Sequence, residues 1–194
     1  RLGRLDEAEA TLRESVALHH ELFHGNHVNE AYTMADLAEV LTSKEHFDEA
    51  LDMYAQARTI IVEQKGEDDI SVAVLDGTSA STMMKAGRIE ESIELNRRAL
   101  DIYQQRFPED HFWVTRGKTS LALALAYGKQ FEEALEIIQS AIDSLIRVGG
   151  VDHPDLSYTY GTLAVVLCRS GDYEQGAEAL RKGIESADRN GRTR

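Results

Sequence analysis

The residues of this chain that could do chemistry begin with His20 and His24, which stand four places apart with Glu21 between them. On a helix this spacing puts both imidazoles on one face, where they could bind Zn²⁺ while Glu21 acts as a general base in hydrolysis. No third ligand follows at the spacing such sites use, although His27 and Glu30 are near. We therefore rank a zinc-dependent hydrolase third among the functions, and expect no enzyme, no catalytic residue, no bound metal and no cofactor.

The sequence contains no other pattern that indicates catalysis. It has no Gly-rich phosphate loop, no G-x-S-x-G and no C-x-x-C. Cys168 is the single cysteine and falls in an apolar helical pattern, which favours a small core residue over a nucleophile. One cysteine forms no intrachain disulfide, which agrees with a reducing, cytoplasmic location. No apolar run approaches about 20 residues and no secretory leader opens the chain, so we expect no membrane partner.

The charge balance restricts the partners. Lys and Arg total 21 against 34 Asp and Glu, for a net charge of −13. A phosphate backbone would be repelled, so we expect no nucleic-acid partner. Basic partners, or partners that bind through apolar contacts, are favoured. The same acidity also keeps an extended surface soluble.

A six-residue segment recurs along the chain and must position any site. Its copies are Gly3–Ala8, Glu45–Ala50, Gly87–Ser92, Lys129–Ala134 and Gly171–Gly176. Each copy ends on a small residue, and neighbouring copies are 42 residues apart. A fixed period of this size predicts stacked supersecondary units rather than one globular core.

Apolar residues at three- and four-residue steps predict two helices in each period. The predicted helices cover 5–23, 29–43, 47–65, 70–86, 89–106, 112–128, 131–148, 154–170 and 173–189. We expect Gly25 and Asn26 to stop the first. The chain opens on Arg1 rather than Met, which we interpret as a fragment cut inside a repeat. The predicted units are 1–26 (the second helix of a truncated repeat), 27–68, 69–110, 111–152 and 153–194, which form one array.

Large and small residues alternate at fixed positions of the repeat. The tight turn carries a large apolar residue, followed three places later by a small one and seven places after that by another. Ala38, Ala80, Ala122 and Ala164 are the corresponding small residues of the first helices. Such pairing is how antiparallel helices interdigitate, and one hairpin cannot bury its face alone.

These motifs resemble the tetratricopeptide repeat. The resemblance rests on Gly171-Asp172-Tyr173-x-x-Gly176, Leu163-Ala164-x-x-Leu167 and His153-Pro154-Asp155. The 42-residue period is similar to the subclass found in kinesin light chains. The resemblance implies an all-α, right-handed solenoid of stacked antiparallel hairpins, in which the first helix of each hairpin lines a concave groove for ligand peptides.

Positions carried over from that groove give thirteen candidate peptide-binding residues. They are Tyr32, Asp36, Glu39, Val74, Thr78, Lys85, Arg116, Ser120, Leu123, Tyr127, Tyr158, Thr162 and Arg169. Lys85, Arg116 and Arg169 could meet an acidic group of a ligand. The Asn residues that kinesin-light-chain-like repeats carry at their ninth and tenth places are missing here, so the family's cargo-binding role is not carried over. Several of these side chains could instead satisfy neighbouring helices.

The middle repeats depart from the pattern. Asp76 and Lys118 occupy a place that is apolar in the outer repeats, and we expect these opposite charges to pair across the stack. Gly77 lies in a stretch of poor helix formers that could be a soft point. Phe112 and Trp113 at one inter-repeat turn either form a lateral contact patch or cap the neighbouring hairpins.

The function we expect is non-covalent: a protein–protein interaction module, part of a larger protein, that binds a peptide or protein surface in its groove. The alternative is a structural scaffold that self-associates through its end repeats, because the first helix lacks a partner on one side.

Overall fold

The computed structural model describes residues 2–24 and 26–191, and every regular element in those ranges is helical. The α-helices are α1 (Leu2–Phe23), α2 (Val28–Ser43), α3 (Phe47–Lys65), α4 (Ile70–Lys85), α5 (Ile89–Arg106), α6 (Phe112–Tyr127), α7 (Phe131–Gly149), α8 (Leu156–Ser170) and α9 (Tyr173–Arg189). The predicted succession of helix hairpins is confirmed. Contacts divide the chain into two compact units, residues 1–95 and 96–194, with the boundary inside α5.

The tight turn within each hairpin has one repeated geometry. Its first residue has a left-handed φ, namely 63° at Glu45, 81° at Gly87, 60° at Lys129 and 97° at Gly171. The next N–H then bonds the carbonyl five residues earlier at 2.9 Å in all four turns, as from Asp172 to Leu167. This is the Schellman closure of a helix C-terminus. Glycine suits a left-handed φ, but the two non-glycine turns show that the hydrogen bond is sufficient to hold it.

The second turn of each period carries one repeated hydrogen bond. A ring nitrogen of His27, His111 and His153, or a carboxylate oxygen of Asp69, accepts a hydrogen bond from the backbone N–H two residues later. At His27, Asp69 and His111 this bond caps the N-terminus of the next helix. At His153 it precedes the helix, because the N-cap of α8 is Asp155.

The small residues lie where two helices touch. Those that follow each turn are buried: Ala50, Ser92, Ala134 and Gly176. So are their counterparts on the first helices: Ala38, Ala80, Ala122 and Ala164. Ser92 also donates its hydroxyl to the carbonyl of Ala80 at 2.7 Å. The predicted places of the small residues are confirmed, whereas the large turn residues are only half-buried and Tyr173 is 71% exposed.

Two predicted boundaries were wrong by two residues or more, and four others differ from the structure by one residue. The helix α1 begins at Leu2, so the turn expected at Gly3 is a helical segment. Leu5, Asp6, Glu7 and Ala8 are compatible with helix, and no described residue precedes Leu2 to make the chain reverse. The helix α8 begins at Leu156 rather than 154, since Gly150–Asp152 forms a single 3-10 turn before it.

Some expectations fall on residues outside the described ranges. The helix α1 ends at Phe23 as predicted, but Gly25, which we expected to stop it, lies outside the described residues. Arg1 also lies outside them. The division into repeats at 27, 69, 111 and 153 stays a prediction.

Candidate functional site

The candidate site with the most exposed cationic groups is formed by α6 and α8 of the second unit. Consecutive helices of this unit pack as antiparallel pairs, so α6 and α8 run parallel and contact each other. Their outward side chains define what we call the α6–α8 face: Arg116, Ser120, Leu123 and Tyr127 from α6, and Tyr158 and Arg169 from α8.

At one end of this face, Arg169 lies over Tyr127. The guanidinium carbon is 4.1 Å from the centroid of the ring, and Nε donates to the backbone carbonyl of Ala126 at 3.1 Å. The stack and the hydrogen bond fix the plane of the guanidinium. Within the described part of the chain no carboxylate lies at ion-pair distance from Arg169, so its terminal nitrogens remain available to a ligand.

At the other end, Arg116 lies beside the Phe112 ring, 5.9 Å from its centroid. A narrow cavity of about 50 Å³ opens there between Arg116, Thr119 and Tyr158. Asp155 also borders this cavity without forming an ion pair with Arg116 among the described residues. Arg116 is therefore a second cation without a carboxylate partner.

The register of the two helices sets the spacing of these cations. Arg116 aligns with Tyr158, and Tyr127 aligns with Arg169, each 42 residues on. Eleven residues separate Arg116 from Tyr127, which is roughly 16 Å along a helix axis. The face thus presents one guanidinium and one tyrosine ring at each end, in a chain of net charge −13.

The other candidates of this unit are less accessible. Ser120 and Leu123 are half-buried. Thr162 is buried at 4% exposure, and its hydroxyl donates to the Tyr158 carbonyl at 3.3 Å. The prediction that Thr162 contacts a ligand is therefore corrected: its side chain packs within the helices.

The candidates of the first unit lie on α2 and α4 and have a different charge. Asp36 and Glu39 make the exposed side of α2 acidic. Tyr32 is held by Lys65, which donates to its hydroxyl at 2.7 Å and keeps the pKa of Tyr32 below its usual value. Ser71 lies 3.3 Å from the same hydroxyl.

On α4 the exposed candidates are Val74 and Lys85, and Lys85 forms no ion pair with any described residue. Thr78 is half-buried and donates to the Val74 carbonyl at 3.0 Å. The candidate residues of this unit include one cation, Lys85, and two carboxylates, Asp36 and Glu39. They are therefore weaker candidates for binding an acidic ligand.

The two charges of the middle repeats have partners within their own units. Asp76, 1% exposed, accepts a hydrogen bond from Arg58 at 2.9 Å. Lys118, 5% exposed, donates to Ser140 at 2.8 Å and pairs with Glu109. Both buried charges are thus compensated, while the pairing of Asp76 with Lys118 stays a prediction.

The residues of the His-Glu-x-x-His segment are exposed, and two of them contact side chains outside the segment. Nδ1 of His20 lies 3.0 Å from a carboxylate oxygen of Glu30, and the Phe23 ring stacks on His19 and His27. Across residues 2–24 and 26–191 no group of three His, Cys, Asp or Glu side chains is arranged to hold a metal ion. Nothing in this arrangement supports a hydrolase.

For Phe112 and Trp113 the sequence left two alternatives, a lateral contact patch or a cap on the neighbouring hairpins, and the two residues differ in this respect. Trp113 is half-buried and stacks on Tyr103 with 5.5 Å between ring centroids, while Phe107 stacks on His111 at 4.0 Å. These rings close the inter-repeat turn. Phe112 is 44% exposed and belongs to the surface beside Arg116.

One residue of interest was missed from the sequence. Glu30 is fully buried, at 0% exposure, on the side of α2 that packs against α1. The signal was present, because the corresponding places of the next three repeats hold the apolar residues Val72, Val114 and Leu156. A carboxylate at a position that is apolar in the other repeats is not explained by packing alone.

Antiparallel hairpins repeated at a fixed period define an α-helical repeat protein. A sequence profile described as tetratricopeptide repeat matches residues 1–61 and 115–189, and a second profile of the same description matches residues 80–112. The chain belongs to the tetratricopeptide-repeat family. No match to a curated protein was found.

Solved structures agree with this assignment. The chain is similar to kinesin light chain nearly identical TPR-like repeats from Podosopora anserina (TM-score 0.83, 19% identity, 98% of this chain and 90% of that one). It is similar to BtubC (BKLC) from P. vanneervenii (TM-score 0.78, 20% identity, coverage 96% and 74%). It is also similar to YrrB, described as a TPR protein with an unusual peptide-binding site (TM-score 0.56, 18% identity, coverage 95% and 79%).

The similarities confirm the all-α solenoid fold and the predicted likeness to kinesin light chains. The family supports a repeat scaffold for protein interactions. In the described ranges, no helix combines the length and the apolar composition that crossing a membrane requires.

Proposed function

We propose that this protein binds an extended, acidic segment of a partner protein on the α6–α8 face. The segment would place one acidic group on Arg116 and another on Arg169, with apolar or aromatic side chains against Tyr127 and Tyr158. We place this interaction in the cytoplasm, on the basis of the single cysteine.

The observation that supports the proposal is that two arginines on this face are oriented by aromatic rings and have no carboxylate partner among the described residues. Arg116 and Arg169 lie on one face, each against an aromatic ring, and neither has a carboxylate partner in the described residues although acidic residues outnumber basic ones. A guanidinium pre-oriented in this way offers two parallel N–H donors to a carboxylate or phosphate. The two arginines lie on neighbouring helices and roughly 16 Å apart along the helix axes, a rise that an extended chain covers in about five residues.

The test is a peptide-display selection against the protein, run beside Arg116→Ala/Arg169→Ala. The parent should enrich peptides with acidic residues about five positions apart, and the double variant should bind them at least about tenfold more weakly. Arg4→Ala/Lys182→Ala is the matched control, because both residues are exposed and the net charge changes equally. Equal enrichment on all three proteins would move the site away from this face.

Self-association is the second candidate, and a different observation favours it. Leu180 and Ile184 of α9 are 48% and 58% exposed, whereas Ile138 and Ile142, which hold the same places on α7, are 0% and 2% exposed. Ile142 is covered by Leu156 of the following helix. Sedimentation velocity over a concentration series, with Leu180→Glu/Ile184→Glu as the variant, separates the two candidates. A parent that stays monomeric at every concentration contradicts self-association.

A further inference from the structure

The first unit contains a cavity that the proposed function does not use. It lies between α1 and α3 over α2 and has a volume of about 440 Å³. Most of its lining is apolar, including Val16, Met34, Leu37 and Met53. Its polar groups come from a few side chains, of which Glu30 is the buried one. A mainly apolar concavity with few polar groups is the usual form of a binding site.

Only one of the two oxygens of the Glu30 carboxylate has a hydrogen-bond partner among the described residues. One oxygen lies 3.0 Å from Nδ1 of His20, which donates to it, and the other has no hydrogen-bond partner among the described residues. The side chain is buried at 0% exposure. A buried anion with an open oxygen is costly, and that cost falls when a cation or donor reaches it.

Arg13, the cation at the edge of the cavity, does not pair with the second oxygen of Glu30. Arg13 borders the same cavity, but its guanidinium is held by Glu9 at 2.8 Å and by Glu49 at 2.6 Å. These two bonds raise the pKa of Arg13 and keep its charge on the rim. The open oxygen of Glu30 therefore lacks an internal cation.

We propose that this cavity binds the side chain of a lysine or arginine from a partner protein. The ammonium or guanidinium group bonds the open oxygen of Glu30, and the aliphatic stem lies against Met34 and Met53. Long basic side chains combine an apolar stem with a charged head, which matches an apolar cavity with one anion at its floor. The negative net charge of the chain attracts such a partner over longer distances.

The methionines allow a direct test, because two of the four in the chain line the cavity and the other two do not. Met34 and Met53 line the cavity, while Met83 and Met84 lie on α4 and serve as internal references. With methyl-labelled methionine, n-butylguanidinium and n-butylammonium are titrated as arginine and lysine probes, and 1-butanol is the neutral control of equal stem length. We expect saturable shifts of the Met34 and Met53 methyl signals with the cations, and unchanged Met83 and Met84 signals. The stronger of the two probes identifies the side chain.

The matched variants are Glu30→Gln, which keeps the shape, and Glu30→Val, which restores the residue found at Val72 and Val114. Both should bind the cations at least about tenfold more weakly. Without ligand, Glu30→Val should melt at a higher temperature than the parent, which shows that the loss of binding is not a loss of folding. Equal shifts with 1-butanol, or unweakened cation binding by the folded Glu30→Val variant, would overturn the proposal.

Discussion

The guanidinium carbon of Arg169 lies 4.1 Å from the centroid of the Tyr127 ring, and the two residues come from different hairpins of the second unit. Because Nε also donates to the Ala126 carbonyl, the stack joins the end of α8 to the end of α6. The same contact orients the cation that the proposed ligand would meet.

A double-mutant cycle with Tyr127→Leu and Arg169→Ala should give a coupling of about 0.5–1 kcal/mol in the free energy of unfolding, the usual range for an exposed cation–π pair. Urea unfolding measures it. Replacing Tyr127→Leu by Tyr158→Leu in the cycle is the control, since Tyr158 lies about three helical turns from Arg169. A coupling near zero in both cycles would show that the stack does not hold in solution.

Gly176 lies at a close approach of α9 to α8. A Cβ at this position would lie 2.6 Å from Sγ of Cys168 and 3.4 Å from the Ala164 carbonyl. We expect Gly176→Ala to cost about 1–3 kcal/mol in the free energy of unfolding, and Cys168→Ala to recover much of that loss. Gly161 is the matched control, because it lies inside α8 with nothing within 4 Å of an added Cβ.

Gly161→Ala should instead gain up to about 1 kcal/mol through helix propensity. Thermal unfolding of the variants separates the two effects. If Gly176→Ala proved as stabilising as Gly161→Ala, the close approach would not exist.

The ion pair of Arg58 and Asp76 replaces an apolar contact. In the preceding repeat the equivalent pair is Val16 and Met34, and both residues are apolar. Asp76→Ala leaves the partly exposed Arg58 with Glu67 as its carboxylate partner, so we expect a cost of about 1–2 kcal/mol in the free energy of unfolding. The double variant Arg58→Leu/Asp76→Met should come within about 1 kcal/mol of the parent, because it restores the apolar pattern. Chemical unfolding checks both, and a double variant weaker than Asp76→Ala would contradict this account.

We expect Tyr54 to lower the free energy of unfolding of the protein at alkaline pH. It is 2% exposed, and burial raises its pKa from 10 to about 12 although the nearby Thr82 and Thr42 hydroxyls act in the opposite direction. Below pH 10 the phenol is neutral in both the folded and the unfolded state, so its contribution is constant. Between pH 10 and about 12 only the unfolded state loses the proton, so stability falls by about 1.4 kcal/mol per pH unit.

Tyr54→Phe keeps the ring and removes this loss. Urea unfolding from about pH 9 to pH 11 should show the parent and the variant diverging above pH 10. Near pH 7 the variant should lie within about 1 kcal/mol of the parent, because the phenol is neutral there in both states and only its hydroxyl contacts are lost. Parallel curves over the whole range would mean that Tyr54 ionises as readily in the folded protein.

The sequence by itself determined the helices and their packing register. Four tight turns repeat one closure and four second turns repeat one hydrogen bond, so each copy confirms the signal of the others. The turn at Gly3 was the exception, because the pattern was present without a described helix before it. Most of the predicted surface residues are exposed for the same reason: a residue on the outer side in one repeat lies on that side in the next.

Only the tertiary structure decided what individual side chains contact. Thr162 and Thr78 hold equivalent places, yet Thr162 is buried and Thr78 half-buried. Tyr127 and Arg169 hold equivalent places one period apart, but the period does not say that a ring and a guanidinium will stack there. It also does not show that one oxygen of the buried Glu30 carboxylate lies near His20 while the other has no partner in the described ranges. Repetition fixes where a residue lies along a helix, whereas its partner depends on the non-repeated side chains of the neighbouring helix, and these differ from one repeat to the next.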